Sequence, residues 1–308
     1  MLEKNFKSDL TMELKIGFVG FGEVGFRYGD GLHQAGIQEI YAYDIDQNSE
    51  LYGELIHTRA KEAGVTLVDN YKQLCEKCTI IFSAVTGAAE MYVVKGVLPF
   101  VGKEHILIDM TATKMDLKEE EAALLHEKGC GCIDAQIVSP VPENGYKATL
   151  FVSGDRVQEL ADALNPYGMD IRVISDRCGD AAKMKMLRSV YTKGTIALLL
   201  EMLYSAKKVG SVEALIDNIA ETMDARPFRD TLNRYVCEDA LHAKRRIHEM
   251  EDVCDVLRSI GIDPIMSEAT KSRIERSASY DLKEYFGGES PENYNQVLSL
   301  LESRNQLK

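Results

Sequence analysis

The 308-residue chain has no long apolar run. Its longest candidate, residues 196–200, is closed by Glu201, far short of the roughly 18 residues a membrane-spanning helix needs. Positive charge is also in deficit: 36 Lys and Arg against 49 Asp and Glu leave a formal net charge of −13. A polyanion is repelled by that balance, so nucleic acid and anionic membrane surfaces are excluded as partners. A small acidic ligand would need positive charge gathered locally. The opening MLEKNFKSDL has no apolar core or cleavage site of a secretory signal, and residues 1–11 are expected to form a polar extension. Seven cysteines, an odd number, fall in no disulfide framework for a chain this long, so reduced thiols in a cytoplasm are expected. Cys75 and Cys78 can be drawn with Cys130 and Cys132 as a thiolate zinc site, but CGC has the wrong spacing and CEKC falls in a helix, so no metal is expected. Internal repeats, a P-loop and a G-x-S-x-G elbow are absent.

What is present is an ordinary globular composition, 45% apolar and 28% charged, at a length that suggests two domains. From Leu14 to about Ser175, short apolar runs (KIGFVG, EIYAYD, VTLVD, TIIFSAV, HILIDM, GCIDAQIV, ATLFVSG, IRVIS) alternate with helix-length stretches. This predicts an α/β domain with a mostly parallel, doubly wound sheet over residues 1–178. The KEEE run at 118–121 reads as a solvated helix face. After Cys178 only helical periodicity remains, predicting an all-α domain over residues 179–308 with breaks at Gly210, Pro227, 261–264 and 287–291. Its first helix, from about Asp180 to Val209, is apolar around most of its circumference. It must therefore be buried, either in the core of one subunit or against a second.

Strand IGFV runs into Gly20-Phe21-Gly22-Glu23-Val24-Gly25 and then into a helix-compatible stretch. The first glycine suits the tight turn, the second a close approach of backbone to pyrophosphate, and the third close helix–strand packing. The next strand ends in Asp44, nineteen residues after Gly25. A carboxylate there accepts from ribose hydroxyls and repels a 2′-phosphate, so NAD is expected over NADP. At the start of the first C-terminal helix, GDAAKMKMLRSVYTKG places Lys185, Ser189 and Thr192 within about 40° of one another on a helical wheel, with Arg188 beside them. A desolvated Lys has its pKa lowered and can exchange a proton with a substrate hydroxyl. Snorkelling to the surface or pairing with a carboxylate is the structural alternative, and the one expected for Lys183 and Lys193.

KIGFVGFGEVG, Asp44, IDMTA at 108–112, DAQIVSP at 134–140 and GDAAKMK resemble, in order, the signature segments of the β-hydroxyacid dehydrogenase superfamily. That superfamily includes 3-hydroxyisobutyrate and 6-phosphogluconate dehydrogenases. The C-terminal stretch resembles a poorly characterised phosphogluconate-dehydrogenase-like branch. The resemblance implies a Rossmann-like domain, a helical domain shared in a homodimer, and NAD(P)-dependent oxidation of a 3-hydroxy acid. It also singles out Lys185, six residues past Gly179, as the catalytic residue. Val85, Thr86 and Thr111, after the fourth and fifth strands, would line the nicotinamide and substrate; as polar strand ends the threonines need no function.

The chain departs from the family in three places. Ser189 stands where the family usually has Asn. Ile137-Val138-Ser139-Pro140 replaces the usual V-S-G-G, leaving Ser139 as the nearest candidate for the substrate carboxylate. His248-Glu249 stands where many members have Lys-Asp. His248, with Arg245, Arg246 and His242 nearby, offers an anion subsite, while pairing of the arginines with Glu249 or Glu238 is the structural alternative. The expected function is oxidation of a small hydroxy acid, or reduction of the oxo acid. An imine or keto-acid reductase and a non-catalytic NAD-binding sensor stand as alternatives.

Overall fold

The computed structural model describes residues 14–306; the expected extension over residues 1–11 lies outside them. Two compact units are distinguished, one ending at Arg188 and the other starting at Ser189. The first unit runs β1 (Lys15–Val19), α1 (Glu23–Gln34), β2 (Glu39–Tyr43), α2 (Gly53–Glu62), β3 (Thr66–Leu67), α3 (Tyr71–Lys77), β4 (Ile80–Ser83), α4 (Glu90–Val97), β5 (Ile106–Asp109), α5 (Met115–His126) and β6 (Gly131–Ile137). It continues through α6 (Val141–Asn144), β7 (Leu150–Gly154), α7 (Val157–Leu164) and β8 (Ile171–Ser175) to the start of α8 (Asp180–Val209).

The strands form one eight-stranded sheet in the order β3-β2-β1-β4-β5-β6-β7-β8. All neighbours are parallel except β6 and β7. The central strands are buried along their length, as parallel strands covered on both faces must be. Phe18, Phe82, Ile108 and Ile133 stand in register across four strands and build one face of the core, with Tyr28 and Leu32 of α1 packed on it. The rings of Phe18 and Phe82 stack at 5.3 Å. On the opposite face Leu107 of β5 belongs to a second core with Leu74 of α3, Val94 of α4 and Leu125 of α5.

One residue further along the same strands, Val19, Ser83, Asp109, Asp134 and Ser153 are in register. Four polar side chains thus form a buried row at the carboxyl end of the sheet. Lys118 and Glu121 of α5 are buried against it, at i and i+3 of a stripe completed by Ala122 and Leu125. The solvated reading of KEEE is therefore wrong for these two residues. A helix facing a polar row carries charge on its inner side, so charge alone did not mark the outer face.

The change from strand to helix at Asp180 precedes the end of the first unit at Arg188. The first turn of α8 is hydrogen-bonded to the sheet: Ala181 N–H donates to Ser153 Oγ at 2.8 Å and Ala182 N–H to Asp134 Oδ2 at 2.7 Å.

The second unit holds the rest of α8, then α9 (Val212–Asp224), α10 (Phe228–Ser259), α11 (Ile265–Ala278), α12 (Leu282–Tyr285) and α13 (Tyr294–Ser303). The expected breaks separate these helices: Gly210 and Gly261 adopt positive φ, and Pro227 and Pro264 precede α10 and α11. A further break at Asp281, in the left-handed region, divides α11 from α12 without a Gly or Pro to announce it. Tyr280, Leu282, Val297, Leu300 and Leu301 pack with Ala240 as its core.

Many of the large apolar side chains of α8 are exposed, against the expected burial. Val190 is 73% exposed, Leu187 65% and Ile196 57%. Glu201, which closes the apolar run, caps α11: its carboxylate accepts from Met266 N–H at 2.6 Å, Ser267 N–H at 2.9 Å and the Ser267 hydroxyl at 2.7 Å. Two orphan amides at the start of α11 thus depend on one side chain from a distant helix. Replacing Glu201 by Ala should cost about 1–2 kcal/mol, read as a lower urea midpoint with an unchanged m-value; an unchanged midpoint would show that water replaces the cap.

Candidate cofactor and active site

The order of strands reverses between β1 and β4, the switch point where a doubly wound sheet opens its crevice. The turn leaving β1 is dictated by close approach. Gly20 has φ +84°, and a Cβ there would lie 2.8 Å from the Ala84 carbonyl oxygen. A Cβ on Gly25 would lie 2.4 Å from the Gly20 carbonyl oxygen, so α1 can start here only with glycine at both positions. Gly22 is different: nothing lies within 4 Å of a Cβ built on it, and it is the N-cap of α1 with no side-chain cap. Its surroundings are open and the first amides of α1 are left for a ligand, which suits a dinucleotide pyrophosphate.

Of the other residues expected in this turn, Phe21 has a buried ring in edge contact with Phe18 and Phe26. Glu23 is exposed and 3.8 Å from Arg27, and Val24 is half-buried. Asp44, just past β2, is tied to the turn: Phe21 N–H donates to Oδ2 at 2.7 Å and Asp46 N–H to Oδ1 at 2.9 Å. Buried Gln47 pins the following loop by donating to the Val68 carbonyl at 2.9 Å. Ile45 beside Asp44 is 81% exposed, an apolar surface that the sequence reading did not single out. Arg59 lies 5.7 Å from the Phe26 ring. Val85 is half-buried and Thr86 exposed after β4.

Next to this crevice the polar row is saturated by an ion cluster. The Lys118 ammonium is bonded to Asp109, donates to the Thr111 carbonyl at 3.0 Å and lies 3.3 Å from Asp134. Thr111 is itself buried. Its N–H donates to Asp109 at 2.7 Å and its carbonyl also accepts from Gln136 Nε2 at 2.7 Å. Its backbone is therefore committed to the row. Ser83 donates to Glu90 at 2.6 Å.

Burial lowers the Lys118 pKa, but Asp109 and Asp134 outweigh it and the ammonium is held more tightly than in water. The carboxyls respond oppositely. Burial and then Asp109 push Glu90 well up, and the same two causes push Glu121 up to about 8. Glu90, Asp109 and Glu121 bring oxygens within 4.8 Å of one another, but Lys118 supplies the cation here and raised pKa values supply protons. The spacing Lys118, Glu121, Ala122, Leu125 was the available signal for this inward-facing charge.

The same row fixes where α8 begins. Gly179, at φ +95°, packs on α5: a Cβ there would meet Met115 Cε at 2.6 Å. Asp134 and Ser153 hold the next two free amides, and Asp180 accepts from Ser175 at 2.8 Å and Lys183 at 2.9 Å. Lys183 thus takes the carboxylate-paired role expected of it, and Lys193 is exposed. Lys185 follows in the second turn, half-buried, and the unbroken helix keeps Ser189 and Thr192, also half-buried, on its face.

The remaining predicted substrate residues are otherwise engaged. Ser139 accepts from Thr149 N–H through its hydroxyl at 2.8 Å, closing the β6–β7 connection. Arg245 pairs with Glu249 at 2.6 Å, Arg246 with Glu238 at 3.1 Å, and His248 with Glu251 at 3.1 Å. For the two arginines these are the ion-pair alternatives, supplied by i+4 and i−8 neighbours on α10 itself, while His248 is an exposed histidine beside its i+3 neighbour. His242 is exposed in a surface groove with Lys244 and Arg245.

The family described as the NAD binding domain of 6-phosphogluconate dehydrogenase matches residues 15–175, more than half of the chain. A domain of unknown function, DUF1932, matches residues 206–277. A conserved hypothetical protein from Sinorhizobium meliloti is 29% identical, with 96% of this chain and 98% of that one covered and a TM-score of 0.62. A conserved protein of unknown function, described as structurally similar to 3-hydroxyacid dehydrogenases, is also 29% identical, covering 88% and 97%, with a TM-score of 0.60. An imine reductase from Aspergillus terreus in complex with NADPH4 and dibenz[c,e]azepine is 14% identical, covering 88% and 95%, with a TM-score of 0.72, a likeness of fold alone.

The raised Glu121 pKa has a definite consequence for stability. Because the folded state holds this proton more tightly than the unfolded chain, its contribution is complete below the ordinary value of 4.5 and is lost as pH rises to about 8. Glu121→Gln keeps the shape and removes the titration. Its Tm relative to the parent protein should therefore climb across that window, and a flat difference would contradict the assignment.

Proposed function

Since the chain belongs to the family of the NAD binding domain of 6-phosphogluconate dehydrogenase, we propose that it is an NAD-dependent dehydrogenase that oxidises a small 3-hydroxy acid or sugar acid, or reduces the corresponding oxo acid. The observation that carries the reading is the placement of Lys185. A polar strip of Lys185, Ser189 and Thr192 begins in the second turn of a helix whose first free amides are bolted to the sheet by Asp134 and Ser153. A general acid/base must be held in place more firmly than a surface lysine is, and here the helix start supplies that rigidity.

The cofactor would be held by the amides and open backbone at residues 20–25, by Asp44 on the ribose and by Val85 and Thr86 across the switch point. When bound, it accepts or returns the hydride. Lys185 takes the hydroxyl proton in the oxidising direction and returns it in the other. Ser189 and Thr192 hold the substrate hydroxyl side, the short Ser189 leaving room for a substituent. Arg188, one turn from Lys185, is the cation that fits the substrate's acid group, since Arg245, Arg246 and His248 are paired on α10.

NAD is preferred over NADP on the chemistry of the ribose end. Asp44 repels a 2′-phosphate, the next residue is Ile45, and Arg59 sits over Phe26. A homodimer accounts for the exposed apolar side chains of α8, because a surface of that kind is covered by another chain far more often than by water.

Two variants separate the roles. Lys185→Ala should lower kcat by roughly 10²–10⁴-fold while NADH still binds, in an absorbance screen of hydroxy and sugar acids run beside imines and oxo acids. Turnover that survives the change defeats the mechanism, turnover confined to imines moves the protein to the reductase reading, and binding without turnover on any substrate favours a sensor. Asp44→Ala should weaken NADH binding by roughly tenfold or more, the loss of hydrogen bonds to a charged acceptor, measured by fluorescence titration. Tighter binding of NADPH than of NADH by the parent protein would reverse the cofactor preference.

A further inference from the structure

We propose that Cys132 and Cys178 close into a reversible disulfide when the protein meets a two-electron oxidant such as hydrogen peroxide, and that this bond resets the start of α8. Their sulfurs lie 3.2 Å apart, one on β6 and the other in the connection from β8 to α8. All seven cysteines are free, and Cys178 is the one that is not fully buried. An oxidant therefore reaches Cys178 first and finds a second thiol already in contact with it.

The chemistry balances with peroxide as the oxidant. The Cys178 sulfur attacks one peroxide oxygen; an S–O bond forms, the O–O bond breaks, and one water leaves. The Cys132 sulfur then attacks the Cys178 sulfur of the sulfenic acid; the S–S bond forms, the S–O bond breaks, and the hydroxyl leaves with the Cys132 proton as a second water. Two thiols are oxidised and one peroxide is reduced to two waters. A thiol reductant reverses the product by exchange. The hydrogen bond with Cys178 and burial both raise the Cys132 pKa, which suits it to wait as a neutral thiol until its neighbour is oxidised.

The bond acts on α8 because of what surrounds it. Reaching covalent distance shortens the sulfur separation by roughly 1.2 Å. Gly179, next to Cys178, is already at positive φ against Met115, and Asp134, two residues from Cys132, holds the Ala182 amide. The strain falls on the amide bonds at Ala181 and Ala182. That this lowers turnover rests on the role of Lys185 proposed above; that the disulfide forms does not.

The test is to treat the folded protein with peroxide, alkylate, digest without reduction and map the peptides by mass spectrometry. A Cys132–Cys178 cross-linked peptide lacking two hydrogens, restored by a thiol reductant and absent from Cys178→Ser, is the expected result. Cys132→Ser should instead leave Cys178 trapped by a sulfenic-acid reagent. Hydrogen exchange at residues 181–183 should speed up on oxidation, and turnover should fall and recover with reductant in the parent but not change in Cys178→Ser.

Oxidation of Cys178 without a cross-link, or a cross-link to Cys130 or Cys75, overturns the disulfide. A cross-link with unchanged exchange overturns its action on α8. If cross-link and exchange respond while Lys185→Ala retains full turnover, the disulfide stands and the catalytic assignment alone falls.

Discussion

A row of buried polar side chains, Ser83, Asp109, Asp134 and Ser153, crosses four strands at the carboxyl end of the sheet, and the first unit is organised around satisfying it. Away from water each of these groups must find a partner or impose a penalty of several kcal/mol. Each partner comes from a different element: Glu90 from α4, Lys118 from α5 and the first free amides from α8. Such a cluster is weak evidence for net stability, since a well-packed apolar core could do as well. Its effect is on geometry. The bonds to this row tie α5 and the first turn of α8 to the carboxyl end of the sheet, so the start of the helix that carries Lys185 is held by requirements of the interior.

The cofactor turn is specified by the opposite means. The backbone of residues 20–25 is shaped first by sterics. Gly20 and Gly25 approach carbonyl oxygens more closely than any Cβ would allow, and the turn follows from that contact. Asp44 then adds the one electrostatic element by accepting from Phe21 N–H, which orients its carboxylate ahead of any ligand. Pre-orientation of this kind reduces the ordering cost of binding.

In the helical unit, local electrostatics overrides the long-range pattern anticipated for it. Two arginines and a histidine expected to serve an anion instead meet carboxylates along α10, because a helix that alternates sign at short spacing pairs within itself at little entropic cost. The carboxylate of Glu201 does the reverse, leaving its own helix to cap another. The difference is what each finds within reach: a side-chain partner in the first case and unsatisfied amides in the second.

The alternation of strands and helices, the glycine turn with Asp44 at its correct distance, the bounds of α8 and most of the breaks in the helical half were legible in the sequence. Period, turn chemistry and the steric demands of glycine are local properties, carried by residues a few positions apart. The inward burial of Lys118 and Glu121, the capture of Ser139 by Thr149, the meeting of Cys132 with Cys178 and the exposure of the apolar α8 were decided by the tertiary structure. The first three depend on strand register and on which helix covers which row, so that residues nine to 46 positions apart come within bonding distance. The last depends on what the remaining helices leave uncovered, a quantity that no local pattern encodes.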